Sequence, residues 1–190
     1  IEDNSLFTLT EVISDVLLST EVTVISGPSH AEEVSREIPT TVVIGAKDKD
    51  TAKYLQNIFM NERFRVYTSS DVLGIELGGA LKNVIALAAG VCDGLGFGDN
   101  TKAALMTRGI AEIARLGIAM GGHPETFSGL SGIGDLIVTC SSKHSRNRMA
   151  GYYIGQGYSP KEAMDKVKQV VEGVYSAKAA LALAKKYKIE

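Results

Sequence analysis

The chain has 190 residues, 45% of them hydrophobic, with a formal net charge of -2 and a pI near 6.0. That is enough apolar material for one large core or two small ones, and the slight acidic balance gives no footing for a nucleic-acid partner, so a charged ligand needs a local basic site. Cys92 and Cys140 form no CxxC pair, and His30, His123 and His144 lack metal-ligand spacing. This usage suits a reducing cytoplasm and gives no metal site to expect.

The first third alternates helix and strand signals. Thr8 and Glu11 form a capping box ahead of EVISDVLL (residues 11–18), and EVTVISG (21–27) reads as a short strand ending in a turn. A short helix is expected over 31–38, a buried β-branched strand over 40–46, a helix with its acids near the start over 48–60, and a further strand over 64–69. Such alternation favours α/β layering. After Asp71 helical patterns occupy nearly everything, notably 75–91, 100–119 with Met106, Ile110, Ile113 and Gly117 on one face, and 172–186. A domain boundary near residue 70 follows, dividing the chain into 1–70 and 71–190. The glycine clusters GLGFGD (94–99) and SGLSGIGD (128–135) separate helices.

No apolar stretch is expected to reach the roughly 18 residues of a membrane span, and the start of the chain has no charged-then-apolar signal pattern. A cytoplasmic location is the resulting expectation. The chain opens on Ile1 and stops at Lys188-Ile189-Glu190, which reads as a piece of a longer protein.

Lys82 is the most informative residue. It stands in the apolar run LGGALKNVIALAAGVC (77–92), and its helical neighbours Ile75, Gly78, Gly79, Ile85, Ala86 and Ala89 are apolar or small. An ammonium on such a face is costly unless paired, and an amine desolvated by apolar neighbours can exchange a proton with a substrate oxygen, with the Asn83 amide orienting that oxygen. The bland alternative is a lysine snorkelling from a helix edge.

Three further segments offer chemistry. Asp135 in GIGDLIVTC, with Thr139 one turn later, could hold the lysine amine or bind a substrate hydroxyl; equally, it suits a helix N-cap. Ser145, Arg146, Asn147 and Arg148 stand at an expected helix start, where backbone N–H groups, a hydroxyl, an amide and a guanidinium make an anion site that needs only one of the two arginines. SGPSHAEEV (26–34) is a strand end, a tight Gly27-Pro28 turn and a helix start carrying Ser29, a plausible wall of a cofactor cleft. GLGFG lacks GxGxxG spacing and reads as a linker.

Taken in order, SGPSHAEEV, GGALKNVIALAAG, SGIGDLIVTCSSKHSRN and VVEGVYSAKA closely resemble NAD(P)-dependent glycerol-3-phosphate dehydrogenase of the bacterial type, essentially from end to end. The family begins with a Rossmann βαβ unit carrying GxGxxG, and nothing in this sequence supplies that loop. The resemblance therefore implies an α/β remnant of a Rossmann-like dinucleotide-binding domain (1–70), followed by an all-α C-terminal substrate domain (71–190) like that of 6-phosphogluconate dehydrogenase. It also implies reversible reduction of dihydroxyacetone phosphate to sn-glycerol 3-phosphate by NADH or NADPH, feeding glycerophospholipid synthesis, in a homodimer. By that resemblance Lys82 matches the catalytic lysine. Gly27, Ser29, Asn83, Asp135, Thr139, Ser145, Arg146 and Asn147 match substrate contacts, while Ala31, Val170 and Glu172 match cofactor positions with Arg146 near them. Two rivals stand beside it: a 3-hydroxyacid or ketopantoate-type dehydrogenase, which needs no phosphate site, and a non-catalytic helical fragment that only packs or dimerises.

Overall fold

The computed structural model describes residues 1–17 and 21–189. Helix α1 (Leu9–Val16) begins at the expected Thr8–Glu11 capping box; Leu18, the last residue of the run expected to be helical, lies outside the described residues. Strand β1 (Val24–Ser26) leads through the Gly27 turn into the short helix α2 (Ala31–Val34). The helix expected to reach Ile38 stops four residues earlier. Glu37 adopts a left-handed φ of 57°, and Pro39 disfavours helical backbone at Ile38.

Strand β2 (Thr40–Gly45), helix α3 (Lys49–Phe59) and strand β3 (Phe64–Ser69) form a crossover unit. The three strands make one sheet in the order β1-β2-β3; β1 runs antiparallel to β2 with Val24 opposite Gly45, and β3 parallel with Thr40 opposite Phe64. Val42, Ile44 and Val66 bury its core, covered by Leu55 of α3 and by Phe64.

The rest of the described chain is helical. The 23-residue α4 (Val72–Gly94) is followed by α5 (Asp99–Ala119), α6 (Pro124–Phe127), a wide π turn (Leu130–Gly134), α7 (Asp135–Ser141), α8 (Arg146–Gly155), α9 (Pro160–Val167) and α10 (Glu172–Lys186). The change falls at Asp71, the buried N-cap of α4. Its carboxylate accepts from Gly74 N at 2.9 Å, His123 N at 2.8 Å and the Thr126 hydroxyl at 2.5 Å, tying the start of α4 to α6.

By length and composition α4 would suit a membrane span, which corrects the expectation that no stretch reaches that length. In this fold it is the central strut instead, packed against α5, α7, α8, α10 and β1. Leu77 and Leu81 join Ile113, Leu116, Phe127 and Leu183 in one core; Ala86 and Ala89 join Leu136 and Cys140 in a second. The expected face of α5 is borne out: Ile113 and Gly117 are buried, and Met106 and Ile110 pack at the edges of these cores.

A close seam lies between α4 and α8, where Gly90 and Gly94 meet Gly151 and Gly155. A Cβ on Gly90 would run into the Arg148 carbonyl, and one on Gly151 into the Leu87 carbonyl. Backbone therefore packs on backbone, and the start of α8 is held against the middle of α4, where Lys82 stands.

Candidate active site

Lys82 leaves α4 partly buried, its side chain 18% exposed, and its Nζ donates to Asp135 Oδ2 at 2.5 Å. Asp135 opens α7 directly after the π turn and does not cap it; Gly134 holds the cap position. The N-cap alternative for Asp135 thus gives way to the lysine-holding one. Thr139 sits one turn on, its hydroxyl donating to the Asp135 carbonyl at 2.6 Å and lying 3.3 Å from Oδ1. Burial pushes the Asp135 carboxyl up from the ordinary carboxylate range, opposed by the Lys82 ammonium, the Thr139 hydroxyl and His30.

A polar cavity of about 270 Å³ opens beside this pair, lined by His30, Lys82, Asn83, Thr139, Ser145 and Arg146, together with Gly79, His144, Asn147 and Glu172. Its far side is the start of α8. Ser145 is the N-cap there, its oxygen accepting from Arg148 N at 3.2 Å, while the first N–H groups of the helix have no intrahelical carbonyl to meet. An anion placed at that end meets a positive helix terminus and the Arg146 guanidinium.

The two arginines take separate roles. Arg146 reaches the cavity and pairs with Glu172 at 2.7 Å, both side chains being well exposed. Arg148 points the other way and is gripped by Asp93, with contacts of 2.8 Å from Nε and 2.6 Å from the guanidinium end; Asp93 also holds Lys102 at 2.7 Å.

Asn147 is committed to the protein. Its amide donates to Asn83 Oδ1 at 3.1 Å and Glu172 Oε2 at 3.3 Å, and accepts from Gly173 N at 2.7 Å. It therefore staples α8 to α4 and α10, a bracing role that the expectation of a substrate contact did not include. Asn83 in turn has its amide 3.4 Å from the Gly79 carbonyl.

The remaining expected residues stand farther back. Gly27, with a φ of 139°, turns the chain after β1, and the Ser29 hydroxyl donates to its carbonyl at 3.0 Å. Neither lines the cavity, nor do Ala31 and Val170; Ala31 begins α2, and Val170 is 62% exposed. Three lining residues went unassigned by sequence reasoning, Gly79, His30 and His144. The signal for His30 was its place in SGPSHAEEV, directly after Ser29; His144 carried none beyond its nearness to Ser145.

A short α/β layer feeding straight into a bundle of helices is the plan of a Rossmann-type remnant followed by a helical C-terminal domain. Known proteins narrow that class to a family. The chain belongs to the NAD-dependent glycerol-3-phosphate dehydrogenases: residues 71–190 match the family's C-terminus and residues 1–52 its N-terminus. Glycerol-3-phosphate dehydrogenase [NAD(P)+] of Agathobacter rectalis is 66% identical over 189 residues, covering 100% of this chain and 56% of the relative. The Fusobacterium nucleatum protein of the same name is 62% identical over 192 residues, covering 100% and 57%. The crystal structure of glycerol-3-phosphate dehydrogenase from Coxiella burnetii superposes with a TM-score of 0.95 at 42% identity, covering 98% of this chain and 57% of that one. The Plasmodium falciparum enzyme gives 0.86 at 26% identity, covering 94% and 51%. The chain thus spans little more than half the length of the relatives it matches.

Proposed function

We propose that the whole protein carrying this chain interconverts dihydroxyacetone phosphate and sn-glycerol 3-phosphate with NADH or NADPH, supplying glycerophospholipid synthesis as a cytoplasmic homodimer. In this reading residues 1–70 are the C-terminal part of the NAD(P)-binding Rossmann domain, and residues 71–190 form the substrate-binding and catalytic domain. The observation that carries the reading is the Lys82–Asp135 pair beside a cavity whose opposite wall is the Ser145-capped start of α8 with Arg146.

Arg146, the Ser145 hydroxyl and the open N–H groups of α8 hold the substrate phosphate, so binding energy remote from the reacting carbon positions it. Lys82, as ammonium, stabilises the oxygen on C2 and gives it a proton during reduction, taking one back during oxidation. Asp135 fixes the amine, and Thr139 supports Asp135 from one turn away. Asn83, braced by Asn147, lines the approach to the reacting oxygen. Gly27 and Ser29, set back from the cavity, form the turn that carries its His30 wall.

The residues present fit a cofactor's rim and not its whole cradle. Arg146 and Glu172 line the cavity and Val170 stands exposed two residues before Glu172, with Ala31 at the start of α2, whereas the sequence has no glycine-rich pyrophosphate turn. When bound, the nicotinamide supplies or accepts the hydride at C2. Arg146 is shared between phosphate and Glu172, so ligand binding loosens an exposed ion pair of small worth.

The test is to join the chain to a family N-terminal segment carrying the dinucleotide loop and to follow oxidation of NADH and of NADPH. Dihydroxyacetone phosphate is the substrate and unphosphorylated dihydroxyacetone the control. A phosphate-dependent rate is expected; equal rates with the control would point to a hydroxyacid-type dehydrogenase, and no rate with either would sink the assignment.

A further inference from the structure

His30 Nε2 is the one buried side-chain nitrogen or oxygen without a hydrogen-bond partner among the described residues. Its buried polar neighbours are satisfied: Asp135 by Lys82, Thr139 by the Asp135 carbonyl, Ser145 by Arg148 N, and Asn147 by three partners. An imidazole nitrogen withdrawn from water with nothing to bond costs about 1–3 kcal/mol, and a native fold keeps such a group where something else completes it.

The ring is not spent on its own helix. His30 occupies the N-cap position of α2 with extended backbone (φ -60°, ψ 129°), yet its side chain makes no capping bond. It turns instead to the polar cavity, whose lining it shares with Lys82, Ser145 and Arg146. It stands at the anion end: its ring lies 6.0 Å from that of His144, the residue just before the α8 cap. The charged and titratable groups around it are Lys82, Asp135, Arg146, His144 and Glu172, with Glu32 beyond, 4.0 Å from His144.

We infer that His30 is a specificity-determining residue of this cavity, its Nε2 donating to a phosphate oxygen of the bound substrate from the side opposite the start of α8. The inference rests on the phosphorylated-substrate reading above and adds to it a contact from the α/β layer. The anion is then enclosed between α2 and α8, and the substrate itself links the two parts of the chain. An unphosphorylated substrate leaves the nitrogen unfilled, so the site selects for the phosphate by the cost of an empty partner as well as by attraction.

The experiment compares His30→Phe, which keeps an aromatic ring and removes both nitrogens, with His30→Gln, whose amide nitrogen reaches a similar position. Both are made in the full-length enzyme. His30→Phe is expected to raise KM for dihydroxyacetone phosphate about tenfold with kcat within about twofold, and His30→Gln to restore most of the difference. An unchanged KM in His30→Phe, or a loss that His30→Gln does not relieve, overturns the inference. A second readout needs no turnover: the ¹⁵N resonance of His30 Nε2 during titration with inorganic phosphate and with sn-glycerol 3-phosphate. Movement at Nε2 that saturates supports the contact, and a fixed resonance at saturating ligand overturns it. A wild-type enzyme without a phosphate-dependent rate would sink the dehydrogenase reading, and the resonance alone would then decide the contact.

Discussion

Lys82 and Asp135 stand 53 residues apart in sequence and 2.5 Å apart in space, each the only near partner of opposite charge that the other has among the described ion pairs. The amine is partly open to the cavity, while the Asp135 side chain is 5% exposed. Removing the amine therefore strands a buried carboxylate, and a lysine deletion here is a stability variant as well as a catalytic one.

That asymmetry predicts a pH signature. A carboxyl raised in the folded state loses its proton first in the unfolded chain, so its ionisation works against folding as pH climbs from about 4 through the folded value. Lys82 is the strongest of the groups holding Asp135 down, and its loss pushes the carboxyl higher and carries the penalty to higher pH. Lys82→Met should lose thermal stability relative to Lys82→Met/Asp135→Asn progressively over the range above about pH 4, by less than the roughly 3–5 kcal/mol of a fully buried broken pair. Melting curves across that range check it; parallel curves for the two variants would show that Asp135 does not depend on the amine.

Arg146 and Arg148 should separate cleanly. Arg146→Ala is expected to raise KM for dihydroxyacetone phosphate by one to two orders of magnitude, roughly the 1.5–3 kcal/mol of a charged hydrogen bond, with little change in melting temperature. Arg148→Ala leaves Asp93 with Lys102 alone and should cost on the order of 2 kcal/mol of stability instead. Steady-state kinetics and denaturant titration of the pair read both effects, and a reversed pattern would exchange their roles.

Gly151→Ala tests the α4–α8 seam. In an open helix this change stabilises by roughly 0.5–1 kcal/mol, but here the new methyl meets the Leu87 carbonyl. The helices must part, at a cost of about 1–3 kcal/mol, and the start of α8 moves with them. A lower melting temperature together with a raised KM is the expected result of unfolding and kinetic measurements. An unchanged or higher melting temperature would mean that the seam has room.

The two cysteines should differ in reactivity. Burial pushes the Cys140 thiol up to about 12, so it carries almost no thiolate at neutral pH, whereas Cys92 is less buried. Alkylation of the folded protein followed by mass mapping should label Cys92 first, with Cys140 reacting only on unfolding. Equal labelling would show that the core around Ala86, Ala89 and Leu136 opens readily.

Much of the fold was legible locally, because capping, periodicity and β-branching act within a few residues. The Thr8–Glu11 box, β3 at Phe64–Ser69 and α10 at Glu172–Lys186 fall where expected, and the stop of α2 was missed although Pro39 signals it. The sequence by itself also marked out Lys82, since a lone charge in an apolar run is visible without a structure. It could not say which of two arginines faces the cavity, since Arg146 and Arg148 differ by only two positions on one helix. Nor could it show that Asn147 braces three elements or that His30 Nε2 lacks a hydrogen-bond partner among the described residues. Those outcomes depend on how closely α8 lies on α4 and where α2 meets both, distances set by backbone-on-backbone packing at glycines far apart in the chain.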